Sequence, residues 1–466
     1  MLKIIERFPV VSLRAWLTEN RQFLLRASTV AGVLLASAYL ARRPSELYVV
    51  LFLGAGAALV VLRHPLIGLA GVIIGGLIVP FGIGTGSESE LNPPMLLLIL
   101  LLGVWLLEMV QRREIRLLPS RTMLPLIALV IVALLALGFG QLPWFATNAA
   151  PIRAQIGGLT IFLLSASAFL VTCHLVKDLR WLERLTWVFI AVGGLYIANR
   201  LVPALNPLIG RLFARGADGS LFWTWLVALA FSQAVYNRSL RPRWRLALGL
   251  LVLATMYIGL VLKRDWTSGW APPLLTIVVI LWVGSPRAAW PIIVVGALLV
   301  VLRMQNVIAL VDVGDTSYSA MTRVEAWRIL LEIIKVSPIL GLGFANYYWY
   351  TPLFSILGYY ISFNSHNNYI DLVAQTGVLG LGCFLWFAWE VGHLGWRLRS
   401  LVPEGFAKAY VYGALGGLAG TLLAGMLGDW VLPFVYNVGF TGFRASVLGW
   451  VFLGGLVAIE QITQHT

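Results

Sequence analysis

Residues 122–139 read TMLPLIALVIVALLALGF, a run without a single charge. A backbone in the hydrocarbon core of a bilayer must satisfy its own hydrogen bonds, so an apolar run of about 17–25 residues is typical of a membrane-spanning helix. Such runs recur along the chain, and only 12% of its 466 residues are charged. An average soluble domain is roughly a quarter charged. The composition therefore excludes an ordinary soluble enzyme and predicts an all-α polytopic membrane protein.

The apolar runs predict about 14 transmembrane helices, within a range of about 12–14. Eleven lie in residues 1–303 and three in residues 366–466, and residues 304–365 form one large outer loop between the eleventh and twelfth spans. The predicted centres lie near Leu34, Leu53, Gly71, Leu102, Val130, Ser167, Val192, Ala228, Leu253, Val279, Gly296, Phe384, Leu418 and Gly449.

Basic residues accumulate in every second turn between these spans, as the positive-inside rule requires of cytoplasmic loops. They are Arg112, Arg113 and Arg116; Lys177, Arg180 and Arg184; Arg238, Arg241, Arg243 and Arg245; and Arg397 and Arg399. We therefore expect both termini to be cytoplasmic, and the first apolar run to be a retained span rather than a signal peptide. The net charge of +14 is chiefly a topology signal, and we expect no nucleic-acid partner.

Within the outer loop, residues 317–336 are predicted to form an amphipathic helix. One face combines apolar residues with a single cation: Arg323, Trp327, Leu330, Leu331 and Ile334. The opposite face carries charges at the spacing of salt bridges: Glu325, Arg328, Glu332 and Lys335. Because an unpaired buried charge is costly, Arg323 requires either an acid from another loop or an anionic ligand. We favour the ligand.

The loop ends in SHNNYID, residues 365–371, and runs directly into an apolar helix. We expect Ser365 to be the N-cap, which places His366 in the first helical turn. The positive end of a helix disfavours an imidazolium, so His366 is expected to be neutral and able to accept a proton. A hydrogen-bonded interface histidine is the alternative. Asn367 and Asn368 are neighbouring candidates for substrate binding.

Further cations on the outer side suggest an anionic ligand such as a lipid-linked pyrophosphate. Arg264 and Asp265 follow Lys263 at the end of the ninth span, and Arg211 and Arg215 lie in an earlier outer loop. The alternative is that these side chains only extend their charged groups toward the water at the membrane edge. No His/Asp/Glu cluster has metal-ligand spacing, so we expect no metal and no cofactor.

An aromatic run, YYWY at residues 347–350, follows a glycine-containing turn in the outer loop. Tyrosine and tryptophan at this depth are typical interfacial anchors. The same side chains can also form a surface on which a sugar stacks. We favour the anchoring role.

The stretch from Arg323 to about Phe387 resembles the signature region of the O-antigen ligase and O-antigen polymerase superfamily. It contains an Arg-bearing amphipathic helix, the turn SPILGLG at residues 337–343, and SHNNY leading into TGVLGLG at residues 376–382. In the family, a His-Asn pair is followed after nine residues by a glycine, and after two more residues by a second glycine. His366, Asn367, Gly377 and Gly380 have this spacing. A large outer loop between late spans also fits.

The resemblance implies a GT-C-like glycosyltransferase of the bacterial inner membrane, with its active site on the periplasmic face. Such enzymes move a glycan en bloc from undecaprenyl pyrophosphate to a hydroxyl of a glycan or lipid-linked acceptor, without a metal and with inversion. Carried over, His366 is the general base and Arg323 binds the pyrophosphate. A chain-length regulator is a further candidate partner.

The family often has a Ser-Arg-Gly element where this chain reads TSG at residues 267–269. Arg264, or Arg211 and Arg215, can take the place of that arginine, and the sequence leaves the choice open. It also leaves open a polymerase, which we favour by span number, against a ligase to lipid A core or a protein O-oligosaccharyltransferase. A flippase for lipid-linked oligosaccharides is disfavoured, because charges within the spans are sparse.

Overall fold

The computed structural model describes residues 46–84, 90–114, 117–287, 289–291, 293–294, 298 and 315–464. These residues are mostly helical, and eight of the described helices are long and apolar enough to cross a membrane. Helix α1, Glu46–Arg63, belongs to an N-terminal unit that ends at Arg63. The elements named below belong to the second unit, which begins at His64.

The second unit has fourteen described α-helices, numbered in chain order after α1. They are α2 (Pro65–Leu77), α3 (Pro93–Arg112), α4 (Met123–Phe139), α5 (Ile152–Leu175), α6 (Leu179–Leu201), α7 (Asn206–Ile209), α8 (Ser220–Tyr236), α9 (Pro242–Tyr257), α10 (Thr267–Gly284), α11 (Asp315–Ile334), α12 (Asn346–Tyr350), α13 (Asn368–Leu401), α14 (Phe406–Leu427) and α15 (Gly439–Gln464). Three-residue 3₁₀ turns cover Pro203–Leu205, Gly210–Leu212 and Thr351–Leu353, and a π-helical turn covers Ile258–Leu262.

The only sheet in the described residues is one short antiparallel pair, β1 (Ile83–Gly84) with β2 (Glu90–Leu91). Two predicted span centres, Leu34 and Gly296, lie outside the described residues, as do residues 304–314 of the outer loop and His465. Each of the other predicted centres lies within an apolar helix. Helices α4 and α8 are apolar but shorter than a full span.

Helix α15 lies at the centre of the second unit. It packs against α5, α8, α13 and α14, and the most apolar 18-residue stretch of the helix is entirely buried. Helix α8 is buried on nearly every side as well. Where α14 meets α10, Gly416 lies against the Thr276 carbonyl and the Ile280 side chain, and this close approach requires a small residue.

Helix α13 is broken at Gly377, whose φ of 70° and ψ of −175° are not helical. The turn before α12 docks against this break. Val378 N donates to Pro338 O at 2.8 Å and Leu379 N to Ile339 O at 3.3 Å, while Leu342 N donates to Ala374 O at 2.9 Å and Gly343 N to Gln375 O at 3.1 Å. Residues 338–343, the clamp, therefore satisfy backbone groups that a broken helix would leave unpaired in a membrane.

Helix α11 agrees with the predicted helix 317–336 within two residues at each end. The predicted salt-bridge ladder is confirmed by Arg328–Glu325 at 2.8 Å and Lys335–Glu332 at 2.7 Å. The predicted apolar face is wrong at Leu331, which is 53% exposed. The buried face is formed instead by Ala326, Ile329, Leu330, Ile333 and Ile334. At 100° per residue, the centre of the buried face is rotated by about 75° from the predicted centre.

The interfacial anchoring expected for residues 347–350 is wrong for two of the four aromatic residues. Tyr347 and Tyr350 are 0% and 1% exposed, and both belong to the hydrophobic cluster beneath α11. Next to them, the Asn346 side chain accepts from Ala150 N at 2.9 Å and donates to Gly140 O at 2.8 Å. Helix α12 is thus fixed to the ends of α4 and α5 rather than to a membrane surface.

We expect Gly377→Ala to destabilise the protein strongly. A Cβ at this position would lie 2.0 Å from Ile339 O, in a backbone conformation that costs a non-glycine residue about 1–3 kcal/mol. Together with the displacement of the clamp, the expected loss is at least about 2 kcal/mol, seen as a lower melting temperature of the purified protein in detergent.

Gly382→Ala is the matched control, because a Cβ there meets nothing within 4 Å. Its melting temperature should be equal to or higher than that of the wild type, because alanine favours a helix over glycine. An unchanged melting temperature for Gly377→Ala would show that the clamp does not constrain α13.

Candidate active site

Arg323 and His366 line one cavity of about 260 Å³. Tyr348, Phe363 and Asn364 contribute to the same walls. Arg323 is half-buried and has neither an acidic partner nor a hydrogen-bond acceptor among the described residues. Burial lowers the pKa of its guanidinium, yet an arginine remains charged at any physiological pH. The cavity therefore combines one fixed positive charge with one titratable ring.

His366 does not lie in the first turn of α13, and the prediction that Ser365 caps this helix is wrong. The N-cap is Asn367, whose side chain accepts from Tyr369 N at 2.9 Å. His366 precedes the cap in a left-handed backbone conformation, with φ of 48°. A non-glycine residue in this region is strained, and the surrounding contacts must hold it there.

Ser365 provides one of those contacts. Its carbonyl accepts from Trp327 Nε1 at 2.7 Å, which ties the histidine backbone to α11. Its hydroxyl accepts from Asn367 N at 2.9 Å and donates to Asp371 Oδ1 at 2.7 Å. Tyr347 donates to the same carboxyl oxygen at 2.6 Å. Burial and the charge of Asp371 raise the pKa of Tyr347, so its hydroxyl stays protonated and remains a donor.

The second set of contacts comes from the 428–438 loop, which joins α14 to α15. Asn368 fixes this loop, since its side chain accepts from Val431 N at 2.8 Å and donates to Leu432 O at 2.8 Å. Asn437 Nδ2 then lies 2.6 Å from Asp429 Oδ1 and 3.2 Å from His366 Nδ1. The loop thus reaches the histidine ring directly.

The Asp429 carboxyl sets the orientation of the Asn437 amide. Oδ1 accepts from Asn437, and Oδ2 accepts from Phe434 N at 2.9 Å. Burial raises the pKa of Asp429, and these N–H donors oppose that shift by favouring the anion. With its NH₂ group turned toward Asp429, Asn437 directs its second N–H at His366 Nδ1. In the neutral ring, Nδ1 is then the acceptor and Nε2 carries the proton.

His366 is held neutral by its surroundings. Burial and the nearby charge of Arg323 both lower the pKa of the imidazole below its ordinary value. The neutrality expected from the sequence therefore has a different origin: the effective charge is Arg323 rather than the end of a helix. A neutral imidazole beside a guanidinium can accept a proton while the guanidinium binds an anion.

Two larger cavities adjoin each other, and Asn437 connects one of them to His366. One, of about 480 Å³, is lined by Asp218, Lys263, Trp266, Trp430, Asn437 and Thr441. The other, of about 540 Å³, is lined by Tyr196, Arg200, Arg215 and Asp218, among others. Asp218 belongs to both, and it pairs with Arg200 at 3.1 Å and Lys263 at 3.6 Å. We call these the tryptophan cavity and the arginine cavity.

None of the other predicted substrate-binding residues lines the cavity of Arg323 and His366. Arg264 and Asp265 form an exposed ion pair with an N–O distance of 3.6 Å. Arg211 is exposed in a 3₁₀ turn, whereas Arg215 reaches the wall of the arginine cavity. Asn367 and Asn368 hold the backbone. No group of three or more potential metal-ligating side chains occurs in the described part of the chain.

Sequence reasoning missed Lys263, Asp429 and Asn437. Lys263, rather than Arg264, follows the π-helical turn Ile258–Leu262 directly and lines a cavity. No sequence pattern predicts such a turn. Asp429 and Asn437 stand out in the sequence only as an isolated acid and an isolated amide in the short loop between the last two spans. Only the folded chain shows that this loop meets His366.

The comparison with protein families agrees with this arrangement. Residues 203–385 match the family model described as O-antigen ligase. The resemblance to the O-antigen ligase and polymerase superfamily is therefore confirmed over this segment, somewhat under half of the chain. It points to a membrane glycosyltransferase of the ligase or polymerase type, with lipid-linked glycan substrates. No curated protein matches the chain.

Arg323→Gln is expected to raise the pKa of His366. The substitution removes a positive charge that disfavours the imidazolium and leaves burial as the remaining cause of the shift. Nuclear magnetic resonance of histidine-labelled protein in micelles, recorded over a range of pH, measures the change.

Arg328→Gln is the control on the same helix. Arg328 is exposed and pairs with Glu325, so its loss should leave the titration of His366 unchanged. Equal titration curves for Arg323→Gln and the wild type would contradict the electrostatic contact between Arg323 and His366.

Proposed function

We propose that the protein transfers a glycan en bloc from undecaprenyl pyrophosphate to a sugar hydroxyl, as an O-antigen or exopolysaccharide polymerase. The observation that carries the proposal is the cavity shared by His366 and Arg323. These two residues come from separate elements, one from the turn before α13 and the other from α11. Their convergence joins a proton acceptor to a fixed anion-binding charge.

In the proposed reaction, His366 is the general base. The acceptor hydroxyl gives its proton to the imidazole as its oxygen attacks the anomeric carbon of the donor sugar. The bond from that carbon to the pyrophosphate oxygen breaks, and undecaprenyl pyrophosphate leaves with the bonding electrons. A single displacement of this kind inverts the anomeric configuration. The low pKa of His366 keeps the base unprotonated before each transfer.

Arg323 is proposed to bind the pyrophosphate and to stabilise the negative charge that grows on the departing oxygen. The guanidinium is suited to this role because it is planar, permanently charged and free of an acidic partner among the described residues. Positive charge that is already in place stabilises the transition state without reorganisation. The proposed mechanism therefore needs no metal.

Arg215 is proposed as a second phosphate contact, because it lines the arginine cavity and Arg200 lies beside it. Arg211 and Arg264 are left as exposed cations that attract the anionic donor from a distance. Asp265 reduces the charge of Arg264 by pairing with it. We assign no direct substrate contact to Asn367 or Asn368, since both side chains hold backbone in place.

We propose that the site faces the periplasm of a bacterial inner membrane. The predicted cytoplasmic clusters at Arg180, Arg241 and Arg397 fall at the opposite ends of α6, α9 and α13 from the site. Cytoplasmic loops are the ones enriched in arginine and lysine. In this arrangement residues 1–303 and 366–466 carry the spans, and residues 304–365 carry the outer loop.

A ligase to lipid A core is the second candidate, because the matching family model is described as O-antigen ligase. The chemistry at His366 and Arg323 is the same for both enzymes, which differ in the acceptor. A polymerase needs only lipid-linked repeat units, and a ligase needs lipid A core as well.

His366→Ala is expected to abolish glycan transfer, by about 100-fold or more, while binding of the lipid-linked donor is retained. The loss follows from removal of the base without removal of Arg323. The assay is in vitro transfer from a lipid-linked repeat unit, with donor binding measured separately. His393→Ala is the control, since His393 is exposed and lies in the far half of α13.

Full transfer by His366→Ala would rule out the general-base role. In the same assay Arg323→Ala should raise the donor KM or lower turnover. Normal values for both would leave Arg323 a purely structural residue.

The same reconstitution separates the two candidate functions. We expect the wild-type protein, given only a lipid-linked repeat unit, to produce a ladder of products on gel electrophoresis. A single transfer that occurs only when lipid A core is present would contradict the polymerase and support the ligase.

A further inference from the structure

The tryptophan cavity differs in chemistry from the cavity that holds Arg323. Its walls carry the indoles of Trp266 and Trp430, whose ring centroids lie 5.9 Å apart at 74°. At about 480 Å³ it falls within the usual size range of small-molecule sites. Polar groups from Asp218, Asn437 and Thr441 share the lining. Aromatic faces combined with hydroxyl-binding groups suit a sugar ring, which has apolar C–H faces and a polar rim.

The charged groups of this cavity are already engaged within the protein. Lys263 lies 3.6 Å from the Asp218 carboxylate, and its ammonium rests 5.8 Å from the Trp223 ring centroid and 5.4 Å from that of Trp266. Asp218 also pairs with Arg200 at 3.1 Å, so two cations share one carboxylate. Both ion pairs use Asp218 Oδ2, and Oδ1 can accept a hydrogen bond from a sugar hydroxyl.

The cavity is also connected to His366, through the ring nitrogen that can accept a proton. Asn437 lines the cavity and donates to His366 Nδ1, the ring nitrogen that carries the lone pair. His366 itself lines the cavity of Arg323, so Asn437 is the contact between the tryptophan cavity and the imidazole ring. A hydroxyl that displaces the Asn437 N–H can take its place at Nδ1.

We propose that the tryptophan cavity binds the acceptor, holding the pyranose whose hydroxyl is to be glycosylated. Trp266 and Trp430 pack against the ring, Asp218 and Thr441 bond its hydroxyls, and the reacting hydroxyl takes the place of Asn437 at His366 Nδ1. The cavity of Arg323 then receives the donor pyrophosphate. This assignment rests on the proposed function, because it takes the acceptor to be a sugar.

The test measures sugar binding directly, without turnover. Full-length protein in nanodiscs is mixed with the methyl glycosides of glucose, galactose and N-acetylglucosamine, and saturation-transfer difference NMR reports which of them binds. We expect at least one methyl glycoside to bind to the wild type, and Trp266→Leu to weaken that binding by about two- to tenfold. Thr441→Val, which keeps the volume of the side chain, should weaken it as well.

Trp389→Leu is the matched control, because Trp389 is 71% exposed on α13. It should bind the sugar like the wild type. Equal binding by Trp266→Leu and Thr441→Val, or no binding of any methyl glycoside to the wild type, would overturn the proposal. Displacement of the sugar by inorganic pyrophosphate would also overturn it, by showing that the cavity binds phosphate.

Transfer kinetics assign the cavity to the acceptor. Trp266→Leu should raise the acceptor KM and leave the donor KM unchanged, and a raised donor KM alone would contradict the assignment. The binding test is independent of the general base: a fully active His366→Ala would defeat the proposed mechanism and leave the sugar-binding result standing.

Discussion

Four backbone hydrogen bonds across the break in α13 connect the parts of the candidate site. Residues 338–343 pair with both sides of Gly377, and this fixes the end of α11 against the helix that begins just after His366. Without the clamp, the broken helix would leave polar backbone groups unsatisfied within the membrane. The position of α11 relative to the start of α13 thus depends on backbone hydrogen bonds as well as on side-chain packing.

Around this constraint Arg323 and His366 have complementary properties. Arg323 is held half-buried on α11, and its charge lowers the pKa of His366, so the guanidinium that suits an anion also keeps its neighbour a base. Trp327 and Ser365 fix the backbone of the histidine from one side. Asp429 and Asn437 orient its ring from the other. The strained backbone at His366 is therefore supported from two separate parts of the chain.

Much of the fold is predictable from the sequence, because apolar runs determine spans and the periodicity near Arg323 determines a helix. The sequence also predicts that Arg323 and His366 belong to one site. His366 lies in a motif with the spacing of the family, and Arg323 is a charge without a local partner. Other features depend on tertiary contacts that no local pattern encodes. The π-helical turn that selects Lys263 over Arg264 and the burial of Tyr347 are two of these. The approach of Asn437 to a residue 71 positions away is a third.

That last contact bears on how the chain can be divided. The segment that matches the family ends at residue 385, whereas the loop that orients His366 begins after α14, near residue 428. The matching segment therefore contains Arg323 and His366 without the carboxyl and amide that hold the histidine ring. A graft of this segment onto other helices would keep both side chains and lose the contacts that align the ring. The candidate site is complete only when the last two helices are present.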